Sequence, residues 1–243
     1  MPTTGRNDPE DHQCSRASNA VGVVKTSEMK KKAKETIIVW GAGGHARVVG
    51  DVLRSSGLEI AGFIDDQDPA RDGEPFSGAR VFASLGAFRP GGSRKVLIGI
   101  GDNFVREKKA GEAEAKGFRL TVAVHPRAVV APDVQLGPGT VVMAGAVINA
   151  GTIIGRNAII NTLAGIDHDC ILGDGVHVSP GVRIGGNVIL DRMAWIGIGA
   201  TVIDHRTVGE SAIVGAGAVV VKDVPARVVV AGVPARIIRK QSR

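Results

Sequence analysis

The hydrophobic residues at positions 124–220 repeat with a period of six. Every sixth residue from Val124 to Val220 is Val, Ile or Leu, without a break in phase. The residue four places further on is small or β-branched in each block, with Arg206 as the exception. Neither the period of an amphipathic helix nor the alternation of a half-buried strand gives this pattern. A hexapeptide repeat is typical of a β-helix, in which each hexad is one short strand and one turn, and three hexads close a triangular coil.

The composition agrees with a narrow coil interior. The chain has no Tyr and only 3% aromatic residues, because a prism lined by large and small aliphatic residues has little room for rings. The residue after each large aliphatic is often Gly, Asn or Asp, and we expect these residues to adopt left-handed backbone angles at the corners. The outer faces are rich in Val, Ile and Ala, which predicts an oligomer that buries them between subunits.

The segment before the coil has a different pattern, in which apolar strands alternate with helices. Strands are predicted at 36–40, 59–64 and 95–100, with a possible short strand around Val81, and helices from the glycine-rich turn 41–46 to about Ser56 and from Asn103 through Lys116. The order strand, glycine-rich turn, helix, strand predicts a parallel βαβ unit. After the coil, residues 231–238 are predicted to form a strand, a turn and a helix.

The glycine-rich turn at 41–46 matches the G-x-G-x-x-A fingerprint of dinucleotide sites, and an acidic residue follows about 20 positions later. The segment has room for about half of a doubly wound sheet, so a single nucleotide is the better match in size. Glycines let backbone amides approach a phosphate at a helix N-terminus, and Asp65 or Asp66 can accept hydrogen bonds from ribose or base. A turn that needs glycine and an exposed acidic strand end explain the pattern equally well.

Charge and cysteine content limit the classes of partner. The net charge of +6 lies largely near the two ends, and no aromatic residues interleave with the basic ones, so no nucleic-acid surface is predicted. Residues 1–35 are polar and without period, which predicts a disordered tail. Cys14 and Cys170 lie far apart, which favours a reducing, cytoplasmic compartment. No membrane-spanning segment or signal peptide is predicted.

Two of the six histidines stand out by their place in the repeat. His168 is the third residue of its hexad, at a corner between Asp167 and Asp169. A carboxylate held against one imidazole nitrogen fixes the tautomer and raises the basicity of the other nitrogen. This favours a general base, although a corner histidine is more often a solvated turn residue. His177 ends the next hexad and points outward from a flat face, and its spacing from His168 argues against a zinc site.

Five motifs occur together along the chain: IIVWGAGGHARVV at 37–49, GFIDD at 62–66, IGDNFVR at 100–106, IDHDCILGDGVHVSPGVRIGGNV at 166–188 and AGVPAR at 231–236. In this combination the chain resembles the hexapeptide acyltransferases that acetylate nucleotide-linked amino sugars, including UDP-4-amino-sugar and GDP-perosamine N-acetyltransferases and sialic acid O-acetyltransferase-like proteins. The resemblance covers about residues 36–240. It implies a Rossmann-like nucleotide-sugar-binding domain at 36–120, a left-handed parallel β-helix at 121–225, a C-terminal tail at 226–243 and a homotrimer with active sites between neighbouring coils.

The resemblance also implies roles for single residues. His168 would be the general base and Asp169 its partner; relatives often have Glu there, so the shorter Asp predicts a longer hydrogen bond. The backbone amide of Gly186 would stabilise the oxyanion. The residues implied to contact acetyl-CoA are His177, Ile198 and Ala216. The residues implied to hold the nucleotide-sugar are Gly43, Gly44, His45, Asp65, Asp66, Gly101 and Asn103.

The resulting prediction is an acetyl-CoA-dependent N-acetyltransferase of glycan or lipopolysaccharide biosynthesis. It would act on the amino group of a nucleotide-linked 4-amino sugar by direct transfer, without a metal ion. O-acetylation of a sugar such as sialic acid stays open, because the residues do not distinguish an amine acceptor from a hydroxyl. A non-catalytic sugar-nucleotide-binding or scaffold protein is a third reading, and the polarised His168 argues against it.

Overall fold

The computed structural model describes residues 36–88 and 94–241. The tail predicted at 1–35 lies outside the described residues. The first half of the described chain is an α/β unit. Its elements are β1 (Thr36–Trp40), α1 (Gly44–Ser55), β2 (Glu59–Ile64), β3 (Pro75–Phe76), β4 (Ala79–Phe82), β5 (Lys95–Ile98), α2 (Asn103–Ala115) and β6 (Arg119–Leu120), with short 3₁₀ turns at Pro69–Arg71 and Leu85–Ala87.

These strands form one sheet in the order β3-β4-β2-β1-β5-β6. The β1 strand lies between β2 and β5 and is parallel to both, as a βαβ unit requires. Helix α1 packs an apolar stripe on the sheet through Ala46, Val49, Val52 and Leu53. The turns that follow β1, β2 and β5 therefore lie along one edge, where parallel strands end and ligands bind in open α/β sheets.

The rest of the chain winds into a coil with three faces of short parallel strands. The first face holds β7 (Ala123–Val124), β10 (Val141–Val142), β13 (Ile159–Ile160), β16 (His177–Val178), β19 (Trp195–Ile196), β22 (Ile213–Val214), β24 (Val228–Ala231) and β25 (Arg236–Lys240). The second face holds β8 (Val129–Val130), β11 (Val147–Ile148), β14 (Gly165–Ile166), β17 (Arg183–Ile184), β20 (Thr201–Val202) and β23 (Val219–Val220). The third face holds β9 (Gln135–Leu136), β12 (Ile153–Ile154), β15 (Ile171–Leu172), β18 (Ile189–Leu190) and β21 (Thr207–Val208).

The interior of the coil is formed by two positions of each hexad, the large aliphatic residue and the small residue four places further on. Large aliphatic residues such as Ile166 and Val178 and small residues such as Ala164 and Cys170 belong to one buried cluster. Paired strands are related by three hexads, so that each residue stacks on its equivalent in the next coil, as Ile171 does on Ile189. The predicted fold class, an α/β unit followed by a left-handed parallel β-helix, is confirmed.

The prediction of left-handed backbone angles named the wrong residue of the hexad. Positive φ occurs at the fourth residue of the hexad, for example at Asn157 (53°) and Asp169 (56°), and not at the residue after the large aliphatic. Glycine is needed after the aliphatic for a different reason. A Cβ on Gly173 would lie 2.6 Å from the backbone nitrogen of Arg192 in the next coil. The stacked coils approach too closely there for any side chain.

The helix predicted near the C-terminus is also wrong. Strand β24 continues the first face, the chain turns at Gly232, and β25 returns antiparallel to β24. The backbone amide of Ala235 donates to Val219 at 2.8 Å and ties this turn to the last coil. An open strand edge and the β-branched residues Ile237 and Ile238 favour a strand at this point.

The α/β unit packs directly on the first face of the coil. Val141, Met143 and Ile159 of the coil belong to the same buried cluster as Val49 of α1, and the Ser56 hydroxyl donates to the carbonyl of Val124 at 2.8 Å. Because this core is continuous, the division into domains at residue 120 stays a prediction. Over the described ranges, no helix is long and apolar enough to cross a membrane.

Candidate active site

His168 lies on the turn that joins β14 to β15, at the edge between the second and third faces. Its Nδ1 is 2.8 Å from Oδ2 of Asp169, and its side chain is 54% exposed. The expected lengthening of this hydrogen bond does not occur, because the left-handed Asp169 turns its short side chain back onto the neighbouring ring. With Nδ1–H donating to the carboxylate, Nε2 is left as the acceptor that a general base needs.

Two carboxylates set the basicity of His168. The hydrogen bond that His168 donates to Asp169 raises the pKa of His168 above its ordinary value, and the charges of Asp167 and Asp169 raise it further. Asp167 itself accepts from the side-chain amide of Asn149 at 2.9 Å and from the backbone amide of His168 at 2.8 Å. These bonds lower the pKa of Asp167. The imidazole therefore has a carboxyl group on each side in sequence.

Gly186 stacks on His168 one coil later, at the equivalent corner. A Cβ on Gly186 would lie 2.7 Å from Nε2 of His168, so glycine is what allows the ring to lie across this corner. Within the described part of the chain, the Gly186 amide has no hydrogen-bond partner. His168 and Gly186, with its unpartnered amide, thus both line a cleft of about 490 Å³.

The predicted acetyl-CoA residues Ile198 and Ala216 lie on a different edge, between the first and second faces. They occupy equivalent corners of successive coils and are both exposed, Ile198 to 62%. Neither lines the cleft beside His168. One face of the coil therefore separates them from the predicted base of the same chain, and their role stays a prediction.

A second concave site, of about 400 Å³, opens at the edge of the α/β sheet. Six of the predicted nucleotide-sugar residues line it: Gly43, Gly44, His45, Asp65, Asp66 and Gly101. They come from the turns after β1, β2 and β5, which the parallel sheet brings to one edge. Asn103 is not among the lining residues. Its amide donates to the carbonyl of Met193 at 2.9 Å and accepts from Arg106 at 2.8 Å.

The two acidic residues after β2 have different surroundings. Asp65 accepts from the backbone amides of Gln67 and Asp68, both at 3.2 Å, through Oδ1. Its Oδ2 accepts from Arg71 Nη1 at 2.7 Å. The Oδ2 of Asp66 is 2.6 Å from Lys109 Nζ. The Asp65 side chain is thus held by residues of its own loop, whereas the Asp66 side chain is held by Lys109 of helix α2.

His177 is buried where the α/β unit covers the first face. Its Nδ1 donates to the carbonyl of Gly101 at 3.3 Å, and its Nε2 accepts from Asn161 Nδ2 at 3.3 Å. The ring stacks on Trp195, with centroids 5.6 Å apart. Burial, followed by the nearby charge of Arg106, lowers the pKa of His177 to about 3. The ring is neutral and lies beside Gly101 and His45 of the pocket at the sheet edge rather than beside His168 of its own chain.

His45 lies close to His177, with ring centroids 6.2 Å apart. Burial is the main cause that lowers the pKa of His45 to about 4. Its Nε2 is buried and has no partner among the described residues. Across those residues, no cluster of three or more His, Cys, Asp or Glu side chains could hold a metal ion.

Arg106 is a residue whose role the sequence did not reveal. It is 1% exposed, and burial lowers its pKa to about 10. Its guanidinium donates to the carbonyls of Ile100 (3.3 Å), Gly101 (2.9 Å), Asn157 (2.9 Å) and Gly175 (2.7 Å) and to Oδ1 of Asn103 (2.8 Å). It thereby joins the loop of the nucleotide pocket to the coil. The sequence did contain one signal for the burial of Arg106. It lies one helical turn after Asn103, so both side chains are on the same, inward-facing side of α2.

Two family models match the chain. The model described as the PglD N-terminal domain matches residues 36–113, and the model described as bacterial transferase hexapeptide (six repeats) matches residues 151–186. They cover the α/β unit that forms the nucleotide pocket and the part of the coil that carries His168 and Gly186.

Solved structures and curated sequences extend this similarity to nearly the whole chain. A perosamine N-acetyltransferase variant from Caulobacter crescentus, in complex with CoA and GDP-perosamine, is 43% identical with a TM-score of 0.81, covering 86% of this chain and 99% of that chain. The acetyltransferase domain of PglB from Neisseria gonorrhoeae FA1090, in complex with acetyl coenzyme A, is 37% identical with a TM-score of 0.79, covering 84% and 100%. GDP-perosamine N-acetyltransferase from Escherichia coli O157:H7 is 28% identical over 83% of this chain and 96% of its own.

Other curated acetyltransferases match over a shorter stretch, and the chain spans only 29–37% of their length. The full-length similarity is therefore the informative one, because it includes the nucleotide pocket as well as the coil. With 43% identity over 99% of a solved relative, the chain belongs to the hexapeptide-repeat nucleotide-sugar acetyltransferase family.

Proposed function

We propose that this protein is an acetyl-CoA-dependent N-acetyltransferase that acts on the amino group of a nucleotide-linked 4-amino sugar. The observation that carries the proposal is the corner of the coil where the ring of His168, polarised by Asp169 at 2.8 Å, lies over Gly186, whose amide has no partner among the described residues. A base and an oxyanion donor side by side are what acyl transfer from a thioester needs. The relatives with CoA and GDP-perosamine bound support the choice of substrates.

In the proposed reaction, Nε2 of His168 takes a proton from the sugar amine as the amine nitrogen attacks the thioester carbonyl. A C–N bond forms, and the negative charge that develops on the carbonyl oxygen is stabilised by the Gly186 amide. Collapse of the tetrahedral intermediate breaks the C–S bond. The proton on His168 passes to the departing thiolate, which leaves as coenzyme A. Both substrates are held together, so no acyl-enzyme is formed.

The nucleotide-sugar is proposed to lie along the pocket at the sheet edge. The diphosphate would accept from backbone amides at Gly43 and Gly44, where α1 begins, and the nucleoside would approach Asp66. The sugar would then extend towards Gly101, which lines the pocket and whose carbonyl accepts from the neutral His177 at 3.3 Å. This pose uses Gly43, Gly44, Asp66 and Gly101 of the pocket and leaves Asp65 as a support of the loop.

A shared site between copies of the chain follows from the positions of these groups. The nucleotide pocket faces one side of the coil, His168 lies on another edge, and their lining residues do not overlap within the described ranges. The third face carries an exposed column of Ile153, Ile171 and Ile189, with exposures of 43%, 49% and 39%. We expect these isoleucines to be buried in a homotrimer that brings His168 of one chain to the pocket of the next.

Light scattering of the purified protein tests this assembly. A particle of three chains at micromolar concentration is the expected result, because the isoleucine columns then lose their contact with water. A monomer with full activity would contradict a site shared between chains.

Thiol release from acetyl-CoA tests the function itself. The protein is expected to release thiol with at least one member of a panel of GDP-, UDP- and dTDP-linked 4-amino sugars, and the product is expected to carry an amide. Matched nucleotide sugars with a hydroxyl at the same carbon are the control, and they are expected to give no release. A silent amino-sugar panel together with activity towards sialic acid would replace the proposal with O-acetylation.

A further inference from the structure

Only one of the acidic residues after β2 has an oxygen free for a ligand. Both oxygens of Asp65 are engaged within its loop, by two backbone amides and by Arg71. The Oδ2 of Asp66 is engaged by Lys109, but among the described residues its Oδ1 has only a long hydrogen-bond contact of 3.5 Å, with the side-chain amide of Gln67. In the pocket wall, Oδ1 of Asp66 is therefore the carboxylate oxygen available to a ligand N–H or O–H.

The position of Asp66 depends on a lysine from another element. Lys109 lies on α2, and its Nζ is 2.6 Å from Oδ2 of Asp66 and 3.0 Å from Oε2 of Glu112. The same ammonium lies 4.8 Å from the ring centroid of Trp40, at the end of β1. The Lys109 side chain is only 12% exposed. It is thus fixed by contacts from the ends of β1 and β2 and from its own helix.

We propose that Lys109 is a positioning residue for nucleotide-sugar binding, which holds Asp66 with Oδ1 directed to the nucleoside. The inference rests on the proposed function, because it assumes that the pocket holds a nucleotide. Lys109 bridges Asp66 and Glu112, so removing the ammonium would take away the charged partner that holds Oδ2 of Asp66. Burial would raise the pKa of Asp66, but the Lys109 ammonium, together with the Trp40 and Gln67 side chains, outweighs it, and the pKa lies below its ordinary value. Lys109 thereby stabilises the charged form of Asp66 in the orientation that the contact at Oδ2 sets.

Lys109→Met tests the positioning role, since methionine keeps an apolar stem against Trp40 and removes the charge. The KM for the nucleotide-sugar is expected to rise about tenfold, the effect of weakening one hydrogen bond to a charged group. The kcat and the KM for acetyl-CoA are expected to stay within about twofold, because neither the base nor the oxyanion donor is touched. Lys109→Arg is expected to restore most of the affinity.

Lys108→Met is the matched control. Lys108 precedes Lys109 on α2, is exposed and lies away from the nucleotide pocket, so all three constants are expected to match those of the wild type. A parallel rise in both KM values of Lys109→Met, or a fall in kcat with unchanged KM, would overturn the positioning role. A double-mutant cycle with Asp66→Asn gives a second check, because Lys109→Met is expected to cause little further loss in that background. Additive losses would also overturn it.

Calorimetry with GDP and UDP separates this inference from the proposed function. Binding by the wild type and a weaker binding by Lys109→Met support both. Equal binding by the two proteins would overturn only the role of Lys109. A wild-type protein that binds neither nucleotide, nor dTDP, would overturn both proposals.

Discussion

His168→Ala is expected to lower turnover by about 10²–10⁴-fold while the fold and the oligomer stay intact. The ring is half exposed on a turn and contributes no packing to the coil interior, so its removal leaves the buried cluster unchanged. What is lost is the acceptor nitrogen beside the Gly186 amide. Steady-state kinetics, together with thermal unfolding, measure the two effects separately.

The pH profile and a second histidine serve as controls for this prediction. A general base must be neutral, so wild-type kcat/KM is expected to fall as the pH falls through the pKa of His168, which Asp169 raises. In His168→Ala, kcat/KM should not show this fall at low pH. His205 lies on the same edge of the coil but is 3.9 Å from the carboxylate of Asp204. His205→Ala is expected to change turnover by less than about threefold, and wild-type turnover in His168→Ala would remove His168 from the mechanism.

The coil and its corner histidine could be predicted because they depend on local repetition. Each hexad places one large and one small residue inside, so the period of six from Val124 to Val220 defines both the interior and the corners. The prediction that His168 lies at a corner with Asp169 as its neighbour needed nothing beyond this phase. The exact place of the left-handed residues was missed, because glycine is used both for positive φ, as at Gly175, and for close stacking, as at Gly173.

The junction between the α/β unit and the coil could not be read from the repeat. The family resemblance implied that Asn103 holds the nucleotide-sugar, whereas in the structure its side-chain amide bridges Met193 and Arg106. His177 was predicted to point outward, which it does, but the contact with Gly101 that buries it depends on how the α/β unit packs on the first face. The C-terminal strand was missed for a related reason, since pairing with β24 overrides the local pattern.

Alanine substitutions at two neighbouring glycines are expected to have different effects, one on catalysis and the other on stability. The three atoms nearest to a Cβ on Gly186 would all belong to the ring of His168, with Nε2 at 2.7 Å, and the backbone there does not need a positive φ. Gly186→Ala should therefore keep the fold and push the imidazole out of place, which is expected to lower turnover by about 10²-fold. A Cβ on Gly185 would instead lie 2.6 Å from the backbone nitrogen of Asp204. Gly185→Ala should destabilise the coil by about 1–3 kcal/mol, because backbone cannot move aside as a side chain can.

Thermal unfolding and turnover of both variants test this contrast, with Gly111→Ala as the control for the exchange itself. Gly111 lies on α2, where a Cβ would meet nothing within 4 Å, so this variant is expected to match the wild type in activity and to be slightly more stable. A fully active Gly186→Ala would show that turnover does not depend on the position of the His168 ring over Gly186. If it were as unstable as Gly185→Ala, the lost turnover would reflect the fold and would say nothing about the base. An inactive but stable Gly186→Ala would tie catalysis to the ring position, since the amide donor is still present in alanine.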